Sequence, residues 1–380
     1  MFQFSAKSKR VLIALTILSL AGLLIVEFNK VDVKRSWYDQ KLEASVLSKK
    51  AVGFLKDIRL QRGVFIDVVN DPNETALIGQ DITQITTDRG YIDSKLTSLN
   101  PNFAAVVVEM LKDAGVSKND VVAVSFTGSL PGLNIAVLAA VQTLKLKPII
   151  ITSVGASNWG ANDPYFTWLD MEKKLFDAGI FKYKSVAASI GGGQDKGRGL
   201  SPEGRELIEK AIKRTDAIFI REEFLEKSVE KRIEIYNHYK KDKPIKAFIN
   251  VGGGIASLGS TENSQFIPTG LIESLPLMNY PANGVLIEMA KQKIPVIHLL
   301  NVTELAIKYG IPVSPKPLPE PGNGEVFVKR QYNFTLTLIV TLVLSIAVLF
   351  IFILEKKHNK LGTKQVTIFN QDTTDNNSGI

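Results

Sequence analysis

Four short runs of glycine and small polar residues are the parts of this chain best suited to chemistry. They are Thr127-Gly128-Ser129-Leu130-Pro131-Gly132-Leu133-Asn134, Gly155-Ala156-Ser157-Asn158-Trp159-Gly160-Ala161-Asn162-Asp163, Gly191 to Gly193, and Gly252 to Gly254. Glycine lets backbone N–H groups come close to a ligand, and a helix N-terminus behind such a loop favours negative charge. Thr127, Ser129, Ser157 and Asn158 add side-chain donors, and Arg198 or Arg221 is able to pair with a carboxylate or phosphate. An anionic ligand is the expectation. The competing account is that the glycines only shape tight strand-to-helix turns, with Ser129 and Asp163 as helix caps.

Sharper motifs are absent. No G-x-x-x-x-G-K-[ST] loop is present to cradle ATP phosphates, and no G-x-G-x-x-G follows a strand with an acidic residue about twenty positions on. Gly128-Ser129-Leu130-Pro131-Gly132 lacks the G-x-S-x-G spacing of a nucleophile elbow. A hydrolase built on Ser129 or Thr127 would need a base, and among His238, His298 and His358 only His298 falls at the end of a strand, where a core histidine is the commoner role. Asp163, Asp195, Glu222 and Glu223 are open to acid–base work, and equally to capping and ion pairing. With no cysteine and three histidines, thiolate and polyhistidine metal sites are excluded, so neither metal nor cofactor is expected.

These loops need a scaffold, and the pattern around them supplies one. After a helix at Phe103–Ala114, the β-rich runs Val121–Phe126, Pro148–Ser153, Ser185–Ile190, Ala217–Ile220, Ala247–Val251 and Pro295–Leu299 read as strands. Helical runs at Leu133–Leu144, Pro164–Ala178, Pro202–Arg214, Glu222–Lys241 and Gly284–Gln292 alternate with them. Strands apolar on both faces, separated by helices, predict an α/β fold: a doubly wound, mainly parallel sheet in a Rossmann-like three-layer sandwich over residues 103–311. Ligands in such sheets bind at the carboxyl ends of the strands, where all four loops would emerge together.

Residues 29–102 read as a stalk helix, with an apolar stripe from Trp37 to Ile58, followed by an irregular lead-in with a turn at Asp71-Pro72-Asn73; an ordinary packed helix fits the same stripe. The stretch Ile255–Asn283, broken by Pro268, Pro276 and Pro281, is long enough for a lid over the loops or for an edge-packing insertion. Residues 312–333, rich in proline and glycine, form a linker.

Two segments match the ~20 apolar residues that cross a bilayer. Residues 11–28 carry one charge, Glu27, and residues 334–354 carry none. The first lacks a small-x-small cleavage site and reads as an uncleaved anchor. Two transmembrane helices thus flank the domain, with 1–10 and 355–380 on one side. The terminal flanks hold seven cations (Lys7, Lys9, Arg10, Lys356, Lys357, Lys360, Lys364) against five on the domain side (Lys30, Lys34, Arg35, Lys329, Arg330). That bias favours cytoplasmic termini in the plasma (inner) membrane and an extracytoplasmic domain. The net charge of +8 arises from basic residues that alternate with acidic ones along helices such as Glu222–Lys241, a solvated pattern that does not point to nucleic acid.

The sequence Val124-Ser125-Phe126-Thr127-Gly128-Ser129-Leu130-Pro131-Gly132-Leu133-Asn134, the run Thr152 to Asn162, the paired triple glycines and the N-terminal anchor together resemble the bacterial poly-gamma-glutamate system protein family. The resemblance covers most of the chain. It implies a membrane component working with the poly-gamma-glutamate synthase membrane complex, and it assigns no catalytic residues. The polymer is a polyanion, which suits a loop edge rich in N–H groups. The ligase that makes it needs an ATP loop, which is missing here, so an accessory role in synthesis or export is expected. Two alternatives stay open: an enzyme that cleaves or transfers gamma-glutamyl chains using Ser129, Thr127, Asp163 or Glu222, and another cell-envelope enzyme on the same fold.

Overall fold

Alternation of β-branched runs with amphipathic ones dictates most of what the computed structural model contains. It describes residues 8–276 and 278–375, with side chains to residue 357. Lys7 and the side chains of His358, Lys360 and Lys364 lie outside the described residues. The elements in chain order are α1 (Lys9–Phe28), β1 (Val31–Lys34), α2 (Tyr38–Gln61), β2 (Thr86–Asp88), α3 (Ile92–Ser98), α4 (Phe103–Asp113), β3 (Val121–Thr127), α5 (Pro131–Thr143), β4 (Lys147–Ser153), β5 (Ala156–Ser157), α6 (Trp168–Asp177), β6 (Ala187–Ser189), α7 (Pro202–Lys213) and β7 (Ile218–Ile220). They continue with α8 (Leu225–Lys240), β8 (Ile245–Val251), α9 (Ile255–Leu258), α10 (Asn263–Phe266), β9 (Gly270–Ile272), α11 (Val285–Lys291), β10 (Val296–Leu299), α12 (Val302–Lys308), β11 (Val328–Gln331) and α13 (Phe334–Asp375).

The chain divides into two compact units, Met1–Val33 with Lys329–Ile380, and Lys34–Val328. In the first, α1 and the Phe334–Lys357 part of α13 are long and apolar enough to cross a membrane. They approach closely at Gly22, where a Cβ would sit 2.7 Å from Val340 Cγ1. At the end of α1, the Glu27 carboxylate accepts from the Tyr332 hydroxyl at 3.0 Å and from the Lys30 ammonium.

The second unit holds a seven-stranded sheet in the order β7-β6-β4-β3-β8-β10-β9, parallel except for β9, which pairs antiparallel with β10. All seven residues of β3 are buried, and their alternation splits them between two cores. Val122, Val124 and Phe126 pack with α4, α5 and Trp168 of α6, while Val121 and Ala123 pack with residues of α8 and α11. Edge-on ring contacts brace both sides, Phe126 with Trp168 at 5.7 Å and Tyr236 with Phe248 at 6.2 Å. Full burial of one such side chain stabilises by roughly 1.5–3 kcal/mol, so β3 alone accounts for several. The Tyr236 hydroxyl donates to the Val124 carbonyl at 2.8 Å, and burial pushes its pKa up.

The segment expected as a stalk is a packed helix of this unit. α2 buries Ala44, Ala51 and Leu55 in the same core as α4 and α5, so its apolar stripe is spent on the domain. The proline-rich stretch after residue 312 is also tied down in part: Asn102 Nδ2 donates to the carbonyls of Glu320 and Asn323, and Val326 and Phe327 are buried. The breaker-rich 255–283 region adds β9 to the sheet edge, fastened by Asn263 Nδ2 to the carbonyls of Leu258 and Ala282, both at 2.7 Å. It forms an edge insertion rather than a lid over the glycine loops.

Candidate functional site

The loops that follow β3, β4, β6 and β8 meet at the carboxyl edge of the sheet. β3 and β8 are adjacent there, and the chain runs outward from β3 in one direction through β4, β6 and β7. Most of the glycines are consumed by loop-on-loop packing. A Cβ at Gly160 would lie 2.9 Å from Ser129 Cα, one at Gly191 3.1 Å from Ser153 Cβ, and one at Gly193 2.8 Å from the Arg198 carbonyl oxygen. Gly128 fits against the Val154 carbonyl and Gly155 against Thr87. Gly192 (φ +66°) and Gly252 (φ +86°) also need a backbone conformation that favours glycine, beside Thr87 and Thr127 respectively. Gly253 and Gly254 keep accessible surface, as do Ser129, Gly192 and Gly193. The close approach demanded of these glycines is therefore to the backbone and side chains of neighbouring loops, and the accessible ones form the rim.

The remaining expected residues divide clearly. Thr127 is buried, with its hydroxyl donating to the Val251 carbonyl at 3.3 Å and its own carbonyl accepting from Asn134 Nδ2 at 2.9 Å. Ser129 caps no helix: its Oγ accepts from the Ser157 N–H at 3.0 Å, which ties the β3 loop to the β4 loop. Asn158 is taken up by the lead-in, donating to Asp81 and accepting from the Gly90 N–H at 3.2 Å. Arg198 is exposed and forms no ion pair among the described residues, while exposed Arg221 pairs with Glu209 of α7 at 3.5 Å. Asp163 accepts from the Tyr165 N–H at 2.9 Å and faces Arg59 at 3.5 Å; the cap of α6 is instead Thr167, in a box with Asp170.

His298 is a core histidine. Its Nδ1 lies 2.9 Å from Asn250 Nδ2, and burial lowers its pKa to about 4, so the ring is neutral. With β8 between its strand and β3, it supplies no base to Ser129.

The residues that give this edge its electrostatics came from places the pattern did not mark. The lead-in strand β2 pairs with β5, which lays residues 86–91 over the β4 loop. From α3, Lys95 reaches beneath that loop, with Nζ 2.8 Å from Ser157 Oγ and bonded to the Ser129 carbonyl. Lys95 is 4% exposed, and burial lowers its pKa to about 7. Next to the triple glycine after β6, Asp195 and Arg232 form a buried ion pair at 2.9 Å joined by Ser153, Ser189 and Ser228.

Four cationic side chains are buried among the described residues: Lys41, Arg59, Lys95 and Arg232. Lys41 pairs with Glu109 at 2.7 Å, Arg59 with Asp163, and Arg232 with Asp195. Lys95 alone has no carboxylate partner within that set. A buried charge without a counter-ion is costly, so the group is either neutral or awaits an anion. Outside this centre, a cavity of about 260 Å³ opens on the lead-in side, lined by Arg59, Phe65, Asp71, Gln80, Asp81 and Trp159 among others. No His/Cys/Asp/Glu cluster suited to a metal occurs among the described residues.

No family model, curated protein or solved structure matches this chain.

Proposed function

We propose that this chain is a two-pass membrane protein whose α/β domain lies outside the cytoplasm and binds a carboxylate-bearing chain, as an accessory component of poly-gamma-glutamate synthesis or export. The observation that carries the reading is Lys95, a buried cation with no carboxylate partner among the described residues, set beneath loops whose rim offers accessible backbone at Gly192, Gly193, Gly253 and Gly254. Near neutral pH part of the lysine population is charged, and the potential it projects is poorly screened because it is buried. Arg198 adds an exposed cation free to meet a second carboxylate. The strand order, which reverses direction between β3 and β8, supports a doubly wound, Rossmann-like layout with the ligand at that reversal. The family resemblance adds the synthase membrane complex as partner and the polymer as ligand.

Titrating gamma-linked glutamate oligomers into the full chain in lipid nanodiscs tests the ligand. Saturable heat is expected, and its absence at millimolar oligomer would reject the reading. The natural chain has no cysteine, so a Lys246→Cys variant, at an exposed position, can be labelled uniquely. An impermeant maleimide added to intact cells should modify it; modification only after lysis would place the domain inside.

A further inference from the structure

The lysine that marks the binding edge is also placed to act on a bond. Its Nζ lies 2.8 Å from Ser157 Oγ, which is hydrogen-bond distance for proton transfer, and the pair is held from three directions. Pairing of β2 with β5 fixes the backbone of Ser157. The Ser157 N–H is anchored on Ser129 Oγ at 3.0 Å, and the Lys95 ammonium on the Ser129 carbonyl. Gly90 passes over the pair: a Cβ there would come within 2.8 Å of Ser157 Oγ and 3.2 Å of Lys95 Cε, so a glycine is needed for the backbone to pack this closely against Ser157, which is 7% exposed.

A lysine serving purely as a strut would be expected to look like Lys41, buried to the same degree, ion-paired to Glu109 and bonded to the Val326 carbonyl at 3.0 Å. Lys95 instead is bonded, among the described residues, to the neutral oxygens of Ser129 and Ser157, and in this buried setting the amine sheds its proton and becomes a base near pH 7. A serine hydroxyl becomes a nucleophile when such a base is in contact with it, and lysine fills that role in serine–lysine enzymes.

The geometry points to Ser157 as an acyl-accepting nucleophile and Lys95 as its general base, acting on the amide bonds of a gamma-linked glutamyl chain. The choice of amide rests on the reading of the ligand given above. Ser157 Oγ forms a bond to the amide carbonyl carbon while its proton passes to neutral Lys95 Nζ. The tetrahedral adduct then expels the amine, which takes that proton from the Lys95 ammonium, and an ester to Ser157 remains. Water, deprotonated by the same lysine, attacks the ester and releases a carboxylic acid with the Ser157 hydroxyl restored; an amine in place of water would transfer the chain. In the adduct the ammonium stands beside the developing oxyanion, where its charge is most useful. Ser129 is a positioning residue through its bonds to both partners.

The test uses the full chain in nanodiscs. A fluorophosphonate probe should label wild type at Ser157, located by peptide mass spectrometry, with a rate that rises as pH passes through about 7. Gamma-linked glutamate decamer should be shortened or extended, and the turnover should fall by at least about 100-fold in Ser157→Ala and Lys95→Met. Lys95→Arg, which keeps the charge and cannot act as a base, should be equally inactive while still binding the decamer. Because the label is read on the wild type, failure of a variant to fold does not rescue the idea. No label, or a label confined to Ser129, would overturn it, and so would a decamer that binds calorimetrically and stays intact, an outcome that spares the binding reading. Label at Ser157 with cleavage of a non-glutamyl peptide amide, and no binding of the decamer, would do the reverse.

Discussion

Two lysines are buried in the α/β domain to nearly the same depth and are held in opposite ways. Lys41, on α2, meets Glu109 of α4 and the Val326 carbonyl, and so pins the chain before the sheet to the chain after it. Lys95, on α3, meets a carbonyl and a hydroxyl from the two loops at the carboxyl edge, and no carboxylate among the described residues. Arg232 repeats the first pattern on α8, with Asp195 and three serines around the pair. A buried cation with its counter-ion is architecture, because breaking the pair leaves a charge stranded. A buried cation without one is under tension between losing its proton and finding an anion, and that places it among groups suited to function.

The contrast can be broken most severely from the paired side. Asp195→Ala would strand the Arg232 guanidinium in the core, and denaturant unfolding should show a loss of about 3–5 kcal/mol. Lys95→Met removes a charge that has no carboxylate partner among the described residues, so its stability at pH 7 should stay within about 1 kcal/mol of wild type or exceed it. A large loss in Lys95→Met, matching that of Asp195→Ala, would make Lys95 another strut.

A smaller effect sharpens the same point through pH. The folded pKa of Lys95 is depressed to about 7 from an ordinary 10.5, so between those values the unfolded chain binds the extra proton and folding gains as pH rises. The penalty is fully present below about pH 7. Stability relative to Lys95→Met should therefore climb by about 1.4 kcal/mol per pH unit above pH 7, measured by unfolding at constant ionic strength. Glu172 runs the other way. Burial raises its pKa to about 7 despite the Ser185 N–H and hydroxyl bonded to it, so its contribution is complete below its ordinary 4.5 and is lost as pH rises through 7. Both proteins in the comparison carry Glu172, so its share cancels.

The strands that carry the loops were legible because burial on both faces leaves a plain signature: Val121 to Phe126 and Ala247 to Val251 are apolar runs interrupted only by Ser125 and Asn250. The convergence of four loops followed from parallel topology alone. What the sequence concealed came from segments without periodicity. Lys95 stands in a polar heptapeptide, Ile92 to Ser98, where a lysine ordinarily faces water, and only the pairing of β2 with β5 turns it inward. Arg232 did leave a trace, since it falls on the stripe Leu225, Val229, Arg232, Ile235 and Tyr236 that buries α8, a position where a charge calls for a partner. The glycines were marked for their closeness to a ligand, yet the nearest atoms at Gly128, Gly155 and Gly160 are backbone and side chains of neighbouring loops. Spacing alone does not distinguish a loop that touches a ligand from one that touches another loop.

The most direct test of Lys95 as the centre of the binding edge is calorimetric titration of a gamma-linked glutamate oligomer into full-length wild type and Lys95→Met between pH 6 and 9. If the lysine charge draws the carboxylates, wild-type affinity falls as pH rises through about 7, and Lys95→Met binds weakly with no such dependence. Equal affinity in the two proteins across the range would contradict it.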